Sequence, residues 1–202
     1  MIEIKNLCKS FDDKKLFDNF STDIQDGEFV IISGKSGCGK TTLLNIIGSI
    51  EDFQSGTITV DGTDITNRKA NREYLKTKVG FLFQNFALVD NKTVRKNLEL
   101  VKKECRTDVS IEEALDFVGL KDKENTAVYK LSGGEQQRIA LARLLVKKCD
   151  VILADEPTGS LDRENAELVM SLLDKLNKTG KTIVVVTHDE QIRNSGRRVI
   201  SL

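Results

Sequence analysis

The sequence predicts one α/β domain: a largely parallel core sheet, an antiparallel β region at its N-terminal side and an inserted helical subdomain. Three observations predict it. Strand-sized apolar runs alternate with helical patterns, the signature of βα units. One junction, "EFVIISGKSGCGKTTLLNIIGSI", reads as strand, glycine-rich loop and helix in immediate succession. Between Asn85 and Cys149 the pattern turns helical, which reads as an insertion into the alternating core.

The elements follow in order. Residues 1–27 carry short β-like runs and hairpin-type turns, so an antiparallel edge is expected there. "EFVIIS" (Glu28 to Ser33) is a buried strand, and "TTLLNIIGSI" a helix. "GTITVDG" is a short strand between turn glycines, and "VGFLFQ" (Val79 to Gln84) another strand. Ser110 to Glu113 fits a capping box opening a helix that Gly119 ends. "DVILADEP" returns to strand. In "RENAELVMSLLDKLNKTG", Val169, Leu172, Leu173 and Leu176 share one helical face, and Gly180 closes the helix. "KTIVVVT" and "RRVISL" complete the strands. The expected division is an alternating α/β core of residues 1–84 and 146–202 and a helical subdomain of residues 85–145.

At 202 residues the chain suffices for one well-cored domain. It carries 31 basic and 31 acidic side chains, so net charge gives no case for a nucleic-acid partner. No apolar run approaches the ~18 residues of a membrane span, and "MIEIKNLCKS" lacks a signal peptide's blocks. Cys8, Cys38, Cys105 and Cys149 are scattered, without a CxxC pair, and read as free thiols.

Chemistry concentrates in a few short stretches. "GKSGCGKT" fits the phosphate-binding P-loop, with Gly34, Gly39, Lys40 and Thr41 in place. Its glycines let backbone N–H groups turn toward phosphate, Lys40 neutralises the β- and γ-phosphates, and the Thr41 hydroxyl suits Mg²⁺. A glycine turn without a ligand is the competing reading, and the flanking strand and helix weigh against it. Asp155 emerges at the carboxyl end of "VILAD", where open α/β sheets bind ligands, and suits the metal. Glu156 is its neighbour. If the backbone turns at the strand end, both carboxylates reach the site, and the second can polarise an attacking water. "LSGGEQQR" (Leu131 to Arg138) offers a second anion site, a serine and two glycines opening a helix.

Together these motifs resemble the nucleotide-binding subunit of an ATP-binding cassette (ABC) transporter, in family order over nearly the whole chain. "GKSGCGKTT" (Gly34, Lys35, Ser36, Gly37, Cys38, Gly39, Lys40, Thr41, Thr42) matches Walker A, and "VILADEP" matches Walker B with its catalytic glutamate, Glu156. Gln84 matches the Q-loop, "LSGGEQQR" the signature motif, "SLD" (Ser160 to Asp162) the D-loop and His188 the switch histidine. Phe11 matches the aromatic that stacks on adenine.

The resemblance implies a P-loop NTPase of ABC type that hydrolyses ATP with Mg²⁺, the ion held by Thr41, Gln84 and Asp155. His188 would contact the γ-phosphate and place the water; Gln84 would sense phosphate and metal. Two copies would associate head to tail, with Ser132, Gly133 and Gly134 meeting the partner's nucleotide and Asp162 coupling across the dimer. Asp162 also reads as the N-cap of its own helix. "NTAVYK" lacks a proline that the family carries before the signature, which puts no catalytic role in doubt.

"ADEPTGSLD" and "FLFQNFAL" look most like the macrolide-efflux, lipoprotein-release and bacteriocin-export branch. Lacking a span, the chain would need transmembrane permease subunits, docking near residues 84–97, where Phe86, Leu88 and Val89 form a patch or pack as core. It would then sit in the cytoplasm, peripheral on the inner face of the cell membrane. The chain stops soon after "RRVISL", so no regulatory C-terminal domain is expected. The alternative is an ABC ATPase that regulates a membrane protein in signalling or cell-wall control. DNA-repair types are disfavoured, because the Walker A-to-signature interval has no room for long coiled coils.

Overall fold

The computed structural model describes residues 1–12 and 14–202. Two sheets form its frame. The first is antiparallel: β1 (Ile2–Phe11), β2 (Lys14–Ile24), β4 (Ser55–Val60) and β5 (Thr63–Asp64), in the order β2-β1-β4-β5. The second is parallel throughout: β3 (Phe29–Ser33), β6 (Val79–Leu82), β7 (Val151–Asp155), β8 (Thr182–Val186) and β9 (Arg198–Ser201), in the order β6-β7-β8-β3-β9.

The parallel strands are apolar runs because both faces are covered. Successive residues divide between two cores. Ile152, Ala154, Ile183 and Val185 face the cluster built on α5 (Gly133–Val146) and α6 (Arg163–Lys178). Val151, Leu153, Val184 and Val186 face the cluster built on α1 (Lys40–Ile47) and the antiparallel sheet. Single-residue alternation within each strand thus sorts one sheet into two layers.

Between β6 and β7 the chain runs through α3 (Val94–Leu98) and α4 (Ile111–Phe117) before α5. The expected capping box is present: Ser110 Oγ accepts from Glu113 N (3.1 Å) and Glu113 Oε2 from Ser110 N (2.8 Å). Gly119, at φ 69°, follows the end of α4. Val169, Leu172, Leu173 and Leu176 are the buried face of α6.

Helix α2 (Arg68–Thr77) went unread in the sequence. Its sequence, "RKANREYLKT", gives no apolar stripe, and Tyr74 is its one buried residue. It starts on Asn67, whose side chain accepts from the N–H groups of Lys69 and Ala70, and it is pinned by the Tyr74 hydroxyl donating to Ile47 O at 3.0 Å. The last short helix, α7 (Glu190–Arg193), follows β8.

The segment after β6 is fixed by one buried side chain. Asn97 is fully buried; its Oδ1 accepts from Val89 N (2.7 Å), and its Nδ2 donates to Val89 O (3.1 Å) and Thr93 O (3.0 Å). Asn97→Ala leaves the Val89 N–H without its partner, while Val89 O and Thr93 O keep their backbone donors, and should lower unfolding stability by about 1–3 kcal/mol. Hydrogen exchange should then show Val89 N–H losing protection while β7 and β8 stay slow. A Val89 amide that keeps its protection would contradict this account of the anchor.

Candidate functional site

The carboxyl edge of the parallel sheet builds the site. Leaving β3, the chain turns through Gly34–Gly39 and enters α1 at Lys40. Gly39 has φ 105°, and a Cβ there would come within 2.9 Å of the Phe17 ring, so backbone and packing both demand glycine. No side chain caps α1, which leaves its first N–H groups free for an anion. Lys40 Nζ donates to the carbonyls of Gly34 and Lys35, both at 3.0 Å. Lys14 Nζ donates to Gly37 O at 2.8 Å, so two ammonium groups bracket the loop. Lys35, Ser36 and Gly37 form its exposed tip; Cys38 and Thr42 are half-buried.

The Thr41 hydroxyl donates to Asp155 Oδ1 at 3.1 Å, across from α1 to the end of β7. Burial pushes the Asp155 carboxyl above its ordinary range; the Thr41 hydrogen bond opposes this, the Glu156 charge adds to it, and Lys40 again opposes it. A half-buried carboxylate with a neighbouring hydroxyl is a hard, oxygen-only donor pair and fits Mg²⁺. No group of three or more His, Cys, Asp or Glu that could cage a metal occurs among the described residues, so such an ion would need oxygens from a phosphate ligand as well.

Glu156 sits at φ 44°, in the left-handed region. That turn answers the strand-parity problem: it brings Glu156 to the same edge as Asp155. Its N–H donates to Val186 O at 2.9 Å. His188 follows β8, and its Nδ1 stands 2.8 Å from Glu156 Oε1. The neighbouring carboxylate raises the imidazole pKa above its ordinary value, first through this hydrogen bond and then through charge. One helix and one strand, α6 and β8, separate His188 from Asp155 and Glu156.

Gln84 is exposed, with Nε2 3.7 Å from where a Cβ on Gly159 would stand; Glu156 Cβ is 3.5 Å from that same point. Both therefore flank one turn. Phe11 is not core. Its ring is 44% exposed at the end of β1, with Lys9 Nζ 4.2 Å from the centroid, which leaves it available for stacking.

Ser132, Gly133 and Gly134 lie elsewhere, at the start of α5. Ser132 Oγ accepts from Glu135 N (3.2 Å) and Glu135 Oε2 from Ser132 N (2.8 Å). A Cβ on Gly134 would meet Asn165 Oδ1 at 2.3 Å, so the motif packs flush on α6. Asp162 caps α6 as expected, accepting from Asn165 N (2.9 Å) and Asn165 Nδ2 (2.7 Å). Gln137 Nε2 donates to Pro157 O at 2.8 Å. No hydrogen bond or ion pair joins Ser132–Gly134 to residues 34–42, Asp155, Glu156 or His188 among the described residues. Ahead of the motif, where the family proline is missing, Val128–Lys130 forms a 3₁₀ turn with Val128 buried.

The apolar patch expected at residues 84–97 divides. Phe86 is half-buried near Gly133, Leu88 packs on the helical core, and Val89 is exposed. Arg143, which sequence reasoning missed, holds this segment: it donates to Ala87 O (2.5 Å) and Phe86 O (3.1 Å), two consecutive residues with positive φ. Arg143 also lines a cleft of ≈ 560 Å³ formed by α2, residues 100–105 and the end of α5. None of residues 84–97 lines that cleft; they adjoin it through Arg143. Lys14 was missed as well. An exposed lysine in a hairpin gives no sequence signal for a phosphate loop far along the chain.

The chain is similar to known proteins along its whole length. The family model described as "ABC transporter" matches residues 17–159. The macrolide export ATP-binding/permease protein MacB of Campylobacter jejuni is 39% identical over all of this chain, which spans only 33% of that protein's length. The lipoprotein-releasing system ATP-binding protein LolD of Leptospira interrogans is 38% identical over all of this chain and 88% of its own. A dimeric structure of the ATP-binding cassette MJ0796 in a post-hydrolysis state, bound to ADP and Pi, superposes with a TM-score of 0.85 at 36% identity, over all of this chain and 94% of that one. With its phosphate loop, Asp155, Glu156 and His188 on one edge of that fold, the chain belongs to the ABC transporter family, as one of its ATP-binding ATPase cassettes.

Proposed function

We propose that this chain is the ATP-hydrolysing subunit of a membrane exporter and works as a head-to-tail pair, each copy's signature motif closing over its partner's nucleotide. One observation carries the reading. Lys40, Thr41, Asp155, Glu156 and His188 converge on one edge, while the second anion site at Ser132 points into a different part of the chain. A cassette that lacks its second phosphate contact in cis is completed by another copy. The dimeric state of MJ0796 supports pairing of two copies.

In this reading Lys40 leaves the carbonyls of Gly34 and Lys35 to bind β- and γ-phosphate oxygens. Thr41 and Asp155 hold Mg²⁺, joined by Gln84, and the ion supplies charge neutralisation on the phosphates. Glu156 orients a water and takes its proton, with His188 keeping the carboxylate aimed. Phe11 stacks on the base. Ser132, Gly133 and Gly134 present the α5 start to the partner's γ-phosphate, where the helix dipole favours negative charge. Asp162 lies beside them at the same contact.

The names of the MacB and LolD relatives place those proteins in macrolide export and lipoprotein release. Outward movement of a drug, peptide, bacteriocin or lipid-linked substrate through separate permease subunits is the corresponding role here. No helix is long and apolar enough to cross a membrane among the described residues. Residues 84–97 and the adjoining cleft are the docking face, on the inner surface of the cell membrane.

Two substitutions separate binding from turnover. Lys40→Ala should abolish MgATP binding in calorimetry, since the loop loses its main cation; retained affinity would mean the site is misassigned. Glu156→Gln keeps the phosphate cradle, so ATP should bind at near wild-type affinity, turnover should be lost, and light scattering should show a dimer in MgATP but not in MgADP. Residual turnover within tenfold of wild type would remove Glu156 from its role.

The Glu156–His188 pair predicts a pH signature. Because the folded-state pKa of His188 lies above its ordinary value of 6.5, the pair's contribution is complete below 6.5 and fades as pH rises through the raised value. NMR of the nucleotide-free protein should show the His188 ring titrating above 6.5, and Glu156→Gln should return it toward 6.5. Equal midpoints in the two proteins would contradict the pairing.

A further inference from the structure

We infer that Lys9 is a positioning residue for the base of the nucleotide: its buried ammonium backs the inner face of the Phe11 ring, and the turn after α1 holds it there. This rests on the stacking role proposed for Phe11 and adds what makes that ring a platform for a purine.

Lys9 is charged yet enclosed, with 7% of its side chain exposed on β1. An aliphatic side chain would fill the same space without the cost of desolvating an ammonium. Its charge is met on one side only. Nζ donates to Glu51 Oε1 at 2.6 Å and to Asp52 O at 2.7 Å. An ammonium has three N–H donors, and no other acceptor bonds this one among the described residues. The Phe11 ring lies beside it, its centroid 4.2 Å from Nζ. Residues i and i+2 share a face of a strand, so β1 itself sets Lys9 against Phe11.

The two side chains divide inside from outside. Lys9 is buried and Phe11 exposed, so the ring presents one face to the cation and the other to solvent. Aromatic faces carry negative charge density and repel when stacked squarely on one another. A cation behind one ring draws that density inward and relieves the repulsion at its outer face. Water screens a buried ammonium little, which puts this contact at the strong end of cation–π interactions. The ligand class for the outer face is a purine base.

The support under Lys9 comes from the phosphate-loop helix. Beyond the end of α1, Glu51 N donates to Asn45 O, within α1, at 3.3 Å. Glu51 is thus fixed to α1 by its backbone and grips Lys9 by its carboxylate. Gln54 clamps the residue between Lys9 and Phe11: its Oε1 accepts from Ser10 N and its Nε2 donates to Ser10 O, both at 3.0 Å. Gln54 N donates to Cys8 O at 3.0 Å. One short turn therefore ties the end of β1 to the helix that carries Lys40 and Thr41. It keeps the base platform and the phosphate cradle at a fixed spacing.

The test uses the full chain, with MgATP and magnesium tripolyphosphate as probes in calorimetry. Tripolyphosphate offers the phosphates without the base. Lys9→Met keeps an unbranched side chain and removes its charge. It should weaken MgATP about threefold to tenfold and leave tripolyphosphate within about twofold of wild type. In a Phe11→Ala background the same change should cost less than about twofold on MgATP, because the ring through which Lys9 acts is gone. If Lys9→Met unfolds, Lys9→Gln replaces it, neutral but still able to donate to Glu51 and Asp52 O. MgATP should then weaken at least about twofold, with tripolyphosphate unchanged. Unchanged MgATP affinity in the Lys9 variant, equal loss for both probes, or an undiminished loss in the Phe11→Ala background overturns the inference. The Phe11→Ala single variant separates the two claims. If it weakens MgATP and the Lys9 variant does not, the inference alone falls. If it leaves MgATP unchanged, the stacking role of Phe11 falls with it.

Discussion

The rest of the structure depends on the order of three neighbouring parallel strands, β7-β8-β3. Their carboxyl ends deliver Asp155, His188 and the phosphate loop side by side. Register fixes this: Asp155 pairs with Val186, and Ile32 pairs with the same Val186 from the other side. The strands can hold that register because both faces are buried, so a slip by one residue would exchange the two cores. Reach across the edge is then short. The Thr41 hydroxyl touches Asp155, and Glu156, swung round by its positive φ, touches His188.

The second consequence is separation. The sheet divides the apolar interior, with α1 in one cluster and α5 in the other. The phosphate loop rides on the first and the Ser132 helix start on the second. Gly134 is locked against Asn165, and Asn165 is bonded to Asp162, so the Ser132 and Asp162 motifs form one rigid corner. A corner that is rigid, carries a helix start and has no phosphate loop of its own is suited to recognise one on another copy. Arg143 ties the same helix to the Phe86–Ala87 turn and to the cleft it lines, so α5 touches both proposed contacts, with nucleotide at its start and with the membrane subunit near its end.

Legibility in the sequence followed the physics of each part. The parallel strands were readable as apolar runs, α4 from its capping box and closing glycine, and α6 from an apolar stripe with its closing glycine. The phosphate loop and Asp155 were readable because their residue types are required by phosphate and metal chemistry. The turn at Glu156 was posed as a condition, and the positive φ meets it. Helix α2 was hidden because it is a largely charged decamer with Tyr74 its one buried residue, and its cap, Asn67, looks like any loop asparagine. Arg143 and Lys147 were hidden because they act on backbone carbonyls far away in sequence, which leave no residue-type signal. The cleft was hidden for the same reason: its lining comes from three separate segments that converge only in the fold.

The central claim is that Ser132 to Gly134 read the γ-phosphate held by another copy. The most direct measurement adds Ser132→Arg to Glu156→Gln and compares the two proteins by light scattering in MgATP at matched concentration, with calorimetry confirming that both bind ATP. The account predicts that the double variant binds nucleotide at each phosphate loop yet stays monomeric, because the bulky side chain occupies the trans contact. A double variant that dimerises as well as Glu156→Gln alone would show that the signature motif is not the site where the second copy closes over ATP.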